Sequence, residues 1–455
     1  MLILDLSLLS AAMLVMTLLR RYVPLLKALR VPTALLAGFF LLILYETQQL
    51  PTTTLESITF HCFNLSFIAI ILKRPQKFGS QVIANSTAVF MQYGLQGFFG
   101  LLVGYLVASM VYPELSLGFG ILLPLGFALG PGPAFSLGKT FETLGFESAA
   151  TMGIFMSSIG YLVASTFGII LIQWAKKKNI LDLTANTLLP QTDAKPSPSK
   201  NPSKENNAHD SSLFDVLSLH VCLVFIVYGI NYAFLTLLTS GLNATGNPAL
   251  SNLTETLWSL SFLFSALWAL VTRGILQKTG AMRAFQDQHF IRISGITMDY
   301  VIVASVASIS LAVIGKYWFG LLLLSLLGIF LVTLPLLWVC SRLFKNFTFF
   351  RTLMIFGVSS GTLTIALALL RIVDPEYKTP AISDYMYSMG FNFLFSIPLI
   401  LILNTAVPSR INGDLRGFFI VLFVCLAYVV VCFLLTFLFG KKRIFQQPGT
   451  IWLKK

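Results

Sequence analysis

The sequence predicts an all-α polytopic membrane protein: two inverted repeats of five transmembrane helices, each with a re-entrant broken hairpin, plus an extra C-terminal helix. Three observations carry that expectation. Of 455 residues, 56% are hydrophobic and 11% charged, with a mean hydropathy of +0.82, a balance foreign to soluble domains of this size. The apolar runs are long enough to span a hydrocarbon core, and basic residues gather in alternate loops between them. One run in each half is interrupted by helix-breaking residues, at Gly130-Pro131-Gly132-Pro133 and at Gly357-Val358-Ser359-Ser360-Gly361-Thr362.

Taken in order, residues 2–19 form the first expected span, followed by Arg20, Arg21, Lys27 and Arg30. No basic stretch precedes it, so it reads as a retained span rather than a signal peptide. Residues 31–45 form the second span, opened by Pro32. The third, 58–72, holds His61 and Asn64 and ends at Lys73 and Arg74. The fourth, 81–112, carries Gln92 and Gln96, four apart and hence on one face. The first interrupted stretch follows at 118–145, and 147–174 are the fifth span, closed by Lys176, Lys177 and Lys178.

Residues 176–212 are rich in Pro, Ser, Lys and Asn and read as a disordered linker. The plan then repeats: spans at 213–238, 257–271 and 293–314, a turn at Lys316, a span at 318–339, an interrupted stretch at 353–371 and a span at 381–405. A last run at 418–439, followed by Lys441, Lys442 and Arg443, stands outside the repeat. The expected organisation is a first membrane repeat at 1–175, a cytoplasmic linker at 176–212, a second, inverted repeat at 213–409, and the extra helix with its basic tail at 410–455. With the N-terminus outside a plasma (inner) membrane, the basic loops, the linker and the C-terminus all fall in the cytoplasm. Five spans per half is odd, so the halves are inverted and the two interrupted stretches enter from opposite sides.

The interrupted stretches carry the functional expectation. About a dozen residues precede Gly130, covering roughly 20 Å against a hydrocarbon core of ~30 Å. Irregular backbone at that depth is tolerated inside protein or beside a watery cavity, as at the binding sites of secondary transporters. A Gly/Pro kink in an ordinary spanning helix is the competing reading. Na⁺ takes oxygen ligands, and unwound backbone with hydroxyls supplies them: Gly357, Ser359, Ser360, Gly361, Thr362 and Thr364 in one stretch, Ser157, Ser158, Ser165 and Thr166 facing them from the fifth span. Gly130, Gly132, Ala134 and Ser136 line the other break. Gln92 and Asn64 either line the cavity or bond across helices, and small hydroxyl residues also serve close helix packing. Asp299 is the acidic residue set deepest in a span and a candidate for cation or proton coupling, although Arg292 is two turns away.

Other classes find little support. The net charge of +13 follows the loop asymmetry, and no basic groove interleaved with aromatics suggests nucleic acid. The five cysteines lie inside apolar runs without metal or disulfide spacing. No catalytic motif points to an enzyme, and no cofactor is implied beyond Na⁺ as coupling ion.

The motifs resemble those of the glutamate:sodium symporter family. MTLLRRYVPLLKALRVPTALLAGFF at 16–40 is similar to its opening two spans, FALGPGPAFSLGKTFETLGFESAATMGIFMSSIGYLVASTFG at 127–168 to its first re-entrant loop and following helix, and FGVSSGTLTIALALL at 356–370 to its second loop. The resemblance implies ten core spans, two opposed re-entrant loops, Na⁺-coupled amino-acid uptake and a homodimer. Where the family's first loop reads Gly-Gly-His-Gly-Thr, this chain has Gly130-Pro131-Gly132-Pro133-Ala134, and its second loop lacks the family's proline after Thr362. The expected function is secondary active transport by alternating access: Na⁺-coupled symport of glutamate or a related amino acid or carboxylate in the lipid bilayer, with Na⁺ held at Ser359, Ser360 and Thr362. The alternatives are an H⁺-coupled carrier of another small anion, working through Asp299, and a non-transporting membrane scaffold or receptor.

Overall fold

Hydrocarbon offers no water to a peptide group, so apolar runs of this length close their hydrogen bonds within helices. The computed structural model describes residues 2–23, 31–74, 80–180, 216–245, 254, 257–258, 260–361, 363–374, 379–408, 415–440, 443 and 449–453. Among them every regular element is helical: α1 (Leu2–Tyr22), α2 (Thr33–Gln48), α3 (Thr53–Ile71), α4 (Ser80–Met110), α5 (Pro131–Thr143), α6 (Ala149–Lys177), α7 (Val216–Ala244), α8 (Ser261–Lys278), α9 (Asp287–Ala307), α10 (Leu311–Leu343), α11 (Thr348–Ser360), α12 (Leu363–Val373), α13 (Ala381–Leu403) and α14 (Arg416–Gly440). Eight of these helices are long and apolar enough to cross a membrane, namely α1, α3, α4, α6, α7, α9, α10 and α14. Exposed apolar side chains such as Leu14 on α1, Phe225 on α7 and Phe423 on α14 suit a multi-pass membrane protein. The expected linker lies outside the described residues from 181 onward, while Lys176 and Lys177 still belong to α6.

Two expectations need correction. The turn expected at Lys316 lies earlier, between Ser308 and Ser310. Gly315 is absorbed within α10 with a kink at Tyr317 (φ −108°, ψ 19°). The Lys316 amine lies over the Tyr317 ring, 4.8 Å from its centre, and 3.6 Å from the Glu114 carboxylate, so the helix carries this charge with partners at hand. The apolar run before Gly130 is not one α-helix but a 3₁₀ turn, Leu117–Ile121, then a π turn, Pro124–Leu129. Pro124 has no N–H to give to the Gly120 carbonyl, so the α-helical ladder cannot continue through it.

The helices sort by their contacts. α3 packs along α9; α2 also lies on α9, and α8 on α3; α1 backs α2, and α7 backs α8. Around the interrupted stretches, α4 packs on α10, α13 on α4, and α6 on α10. The 3₁₀ turn lies on α4, α5 on α6, and α11 against both α10 and α6. α14 runs along α4 where Gly94 and Gly97 leave room: a Cβ on Gly97 would sit 2.7 Å from the Cys425 sulfur. Small residues permit such approach where no hydrophobic drive separates helix from lipid. The chain end returns to the bundle. Trp452 meets Trp174 at 5.9 Å and Phe349 at 6.1 Å between ring centres, and buried Arg342 donates to the Thr450 carbonyl at 2.9 Å.

Candidate functional site

Both interruptions are buried in the protein. At the first, Gly130 has φ +88° and ψ −174°, a conformation that costs an L side chain but not glycine. Pro131 opens α5 at the first helical position, where a missing N–H is harmless. The positive end of α5 is poor in donors: Pro131 and Pro133 have no N–H, and that of Ala134 goes to the Gly130 carbonyl at 3.2 Å. α5 is tied down at its far end, where Lys139 lies 3.0 Å from Glu56 of α3 and 3.3 Å from Glu142. At the second interruption α11 ends on Ser360, Gly361 is extended (φ −151°, ψ −124°), and α12 begins at Leu363.

α6 brings the two together. A Cβ on Gly160 would stand 2.5 Å from the Ser360 carbonyl oxygen and 3.3 Å from Phe127 Cα, so one turn of α6 touches both interrupted stretches. The next residue, Tyr161, places its hydroxyl 3.6 Å from where a Gly130 Cβ would be. One turn on, Ala164 packs against the second break: a Cβ on Gly361 would stand 3.0 Å from the Ala164 Cβ. From α4, the Gln96 Nε2–H donates to the Ser359 carbonyl at 3.3 Å. Asp299 is half-buried on α9, which packs on α6.

The elements that meet here carry buried polar atoms to which the protein gives no partner: both amide atoms of Gln92, the Gln96 Oε1, and the hydroxyls of Ser86, Ser136, Ser157, Tyr161 and Ser359. Ser157 and Tyr161, one turn apart on α6, are near enough to meet each other, but in no well-aligned hydrogen bond. An unsatisfied buried polar group costs about 1–3 kcal/mol, and such groups cluster where a ligand can use them.

The other expected residues divide. Ser158, Ser165, Thr166 and Ser360 each donate to their own helix four residues back, at 3.0, 2.8, 2.7 and 2.6 Å, onto Ile154, Tyr161, Leu162 and Phe356. A hydroxyl in an apolar helix finds that carbonyl first, so each of the four spends its hydrogen on its own helix and keeps its oxygen lone pairs. Asn64 is elsewhere: its carbonyl oxygen accepts from Ser261 at 3.1 Å and Ser265 at 2.8 Å, and Asn231 joins through Ser261 at 3.0 Å, knitting α3 to α7 and α8. Gly132 lies under the Phe63 ring, and Ala134 faces Gly153 across the α5–α6 contact. Of the trio expected to hold Na⁺, Thr362 lies outside the described residues, as does the Thr364 side chain; Ser359 alone keeps an unengaged hydroxyl.

Sequence reasoning passed over Tyr161, although it stands four residues after Ser157 on the same helical face. It also passed over the buried pair of Arg351 on α11 and Asp384 on α13, joined at 2.9 Å through Nε and 2.6 Å through Nη2. Nothing in the spacing of residues thirty-three apart signals that pair. Among the described residues no three His, Cys, Asp or Glu side chains gather as a metal site. No family model matches the sequence, and no curated protein or solved structure matches it either.

Proposed function

We propose that this chain is a secondary transporter, a divergent member of the glutamate:sodium symporter family, moving an amino acid or small carboxylate with Na⁺ by alternating access. The observation that carries the reading is the meeting of two broken helical segments at Gly160 and Tyr161, inside the protein and among buried polar atoms without partners. Discontinuous helices meeting within a bundle are how transporters present backbone dipoles and carbonyls to solute and ion. The C-terminal end of α11, with the Ser359 hydroxyl, offers oxygens to a cation.

The helix contacts support a repeated, inverted plan. Exchanging α1, α2 and α3 for α7, α8 and α9 turns the α2–α9 contact into α8–α3, and the α1–α2 contact into α7–α8. Exchanging α4 and α6 for α10 and α13 turns α4–α13 into α10–α6. On this reading 117–143 and 348–373 are equivalent re-entrant hairpins, and α14 is an addition. A homodimer in the plasma membrane, with the N-terminus outside, completes the proposal.

Uptake by proteoliposomes with and without an inward Na⁺ gradient tests it, using labelled amino and dicarboxylic acids. Na⁺-dependent accumulation is the expected result. Flat traces, together with no shift in melting temperature on adding Na⁺ or solute, favour a non-transporting scaffold. Ser359→Ala and Tyr161→Phe should each cut uptake by about tenfold, the effect of losing one hydrogen bond of ~1.4 kcal/mol, with the melting temperature unchanged. Ser360→Ala should cost less than Ser359→Ala, because the Ser360 hydroxyl hydrogen is already given to the Phe356 carbonyl and only its oxygen lone pairs remain.

A carboxyl half-buried within a spanning helix, Asp299 on α9, favours one second reading, H⁺ coupling. Uptake driven by a pH gradient without Na⁺, and abolished in Asp299→Asn, would establish it over Na⁺ coupling.

A further inference from the structure

The chemistry of the unpartnered atoms narrows what this site takes. Resting on the transporter reading above, we infer that the ligand is an amino acid with an uncharged carboxamide side chain, of the glutamine or asparagine type, rather than a dicarboxylate.

The first argument is the kind of hydrogen-bonding atom on offer. Gln92 is fully buried with both its amide nitrogen and its amide oxygen unpartnered. Gln96 gives one N–H to the Ser359 carbonyl and keeps its oxygen unpartnered. That orientation of Gln96 is fixed, since only the NH₂ end can face a carbonyl. The two glutamines thus present two acceptor oxygens, the two N–H groups of Gln92 and the second N–H of Gln96, on elements that also carry the unpartnered hydroxyls of Ser157, Tyr161 and Ser359. A carboxylate only accepts, so it leaves both glutamine oxygens unsatisfied. A carboxamide donates two N–H groups and accepts at its oxygen, and pairs with a glutamine amide reciprocally.

The second argument is charge. A buried carboxylate needs a cation or several N–H donors. The buried Lys and Arg side chains among the described residues are Arg342 and Arg351. Arg351 is held by Asp384 and lies eight residues before Ser359, roughly 12 Å along α11. Arg342 stacks on Trp338, 4.2 Å from the ring centre, and donates to Thr450. Half-buried Asp299 lies on α9, which packs on α6, and its charge repels a second carboxylate and attracts an α-ammonium. The helix end at Gly130 adds little for an anion. Two of the first three residues of α5 are prolines and the Ala134 N–H is committed, so at most the Gly132 N–H is open to it. One such donor suits the α-carboxylate that every amino acid shares and leaves no further backbone N–H of this helix end for a second one.

Binding to the purified full-length protein, by scintillation proximity in Na⁺ buffer, compares labelled L-glutamine, L-asparagine, L-glutamate and L-aspartate, with uptake of the same four into proteoliposomes alongside. An amide should bind at least about tenfold tighter than its acid counterpart, and Gln92→Leu should weaken amide binding by about tenfold without lowering the melting temperature. Glutamate or aspartate bound as tightly as the amides, or more so, overturns this inference while leaving the transporter reading in place. Gln92→Leu protein that binds amides normally overturns it too. No binding or accumulation of any of the four overturns it together with the amino-acid transporter reading.

Discussion

Gly120→Val should remove the folded protein from the membrane. At the 3₁₀ turn Leu117–Ile121 the backbone of residue 120 rests directly on that of α4: a Cβ there would overlap the Gly100 carbonyl and stand 2.5 Å from the Leu101 nitrogen. From the other side, Cβ atoms on Gly100 and Gly104, one turn apart on α4, would run into Gly120 itself. Three glycines thus let two backbones touch, and no flexible side chain can move aside. Overpacking in a well-filled core costs ~1–3 kcal/mol, with occasional larger values, and a clash of backbone on backbone belongs at or above the top of that range. It would also shift the π turn and the Gly130 break, which follow within ten residues. The expected result is loss of the monodisperse peak in fluorescence-detected size-exclusion chromatography, with Gly229→Val as control, because a Cβ at Gly229 meets nothing. A Gly120→Val protein that purifies and melts like the parent would show that this crossing is slack.

The second large effect is expected at Arg351. Its guanidinium grips one oxygen of Asp384, at 2.9 and 2.6 Å, bonds the Asn346 carbonyl, and lies 5.6 Å from the Phe344 ring centre. The pair joins the first arm of the second interrupted stretch to α13. Arg351→Met leaves a carboxylate buried without its partner, which typically costs about 3–5 kcal/mol. Asp384→Leu should cost a similar amount for the converse reason. The double variant should regain most of the loss, since two apolar side chains of like volume avoid desolvating charge altogether. Melting temperatures of the four proteins in detergent check this. Losses that simply add would mean that the two residues act independently. The contrast with Lys139 is instructive: its contacts with Glu56 and Glu142 are partly exposed, and Lys139→Met should change stability by no more than ~1 kcal/mol.

Much of the architecture was legible because hydropathy and helix breakers act locally. Long apolar runs mark spans whatever surrounds them, and Gly130-Pro131 interrupts a helix because of its own φ preference and its missing N–H. The misplaced turn at Lys316 shows the limit of such signals. A charged residue beside glycine looks like a loop, yet a long side chain lets a helix carry its charge to the edge of the apolar layer. The hydroxyl residues near the breaks were found in the same way, as residue types at suitable positions. Ser359 and Ser360 are neighbours of identical chemistry, and sequence gives no means of choosing between them.

What the sequence by itself determined is the class of the protein, the order of its helices and the two places where they break. Each follows from composition over a short window and needs no distant partner. Tertiary structure decided which polar atoms are available. Ser158, Ser165, Thr166 and Ser360 give their hydroxyl hydrogens to their own helices, Asn64 is drawn into a network with Ser261 and Ser265, and Gln92, Ser157, Tyr161 and Ser359 are left unengaged. The physical reason is that a hydrogen bond is made over about 3 Å and at a defined angle. Whether a hydroxyl meets a carbonyl, another side chain or nothing depends on how helices distant in the chain cross, and here glycines at 100, 120 and 160 fix those crossings by letting backbone meet backbone.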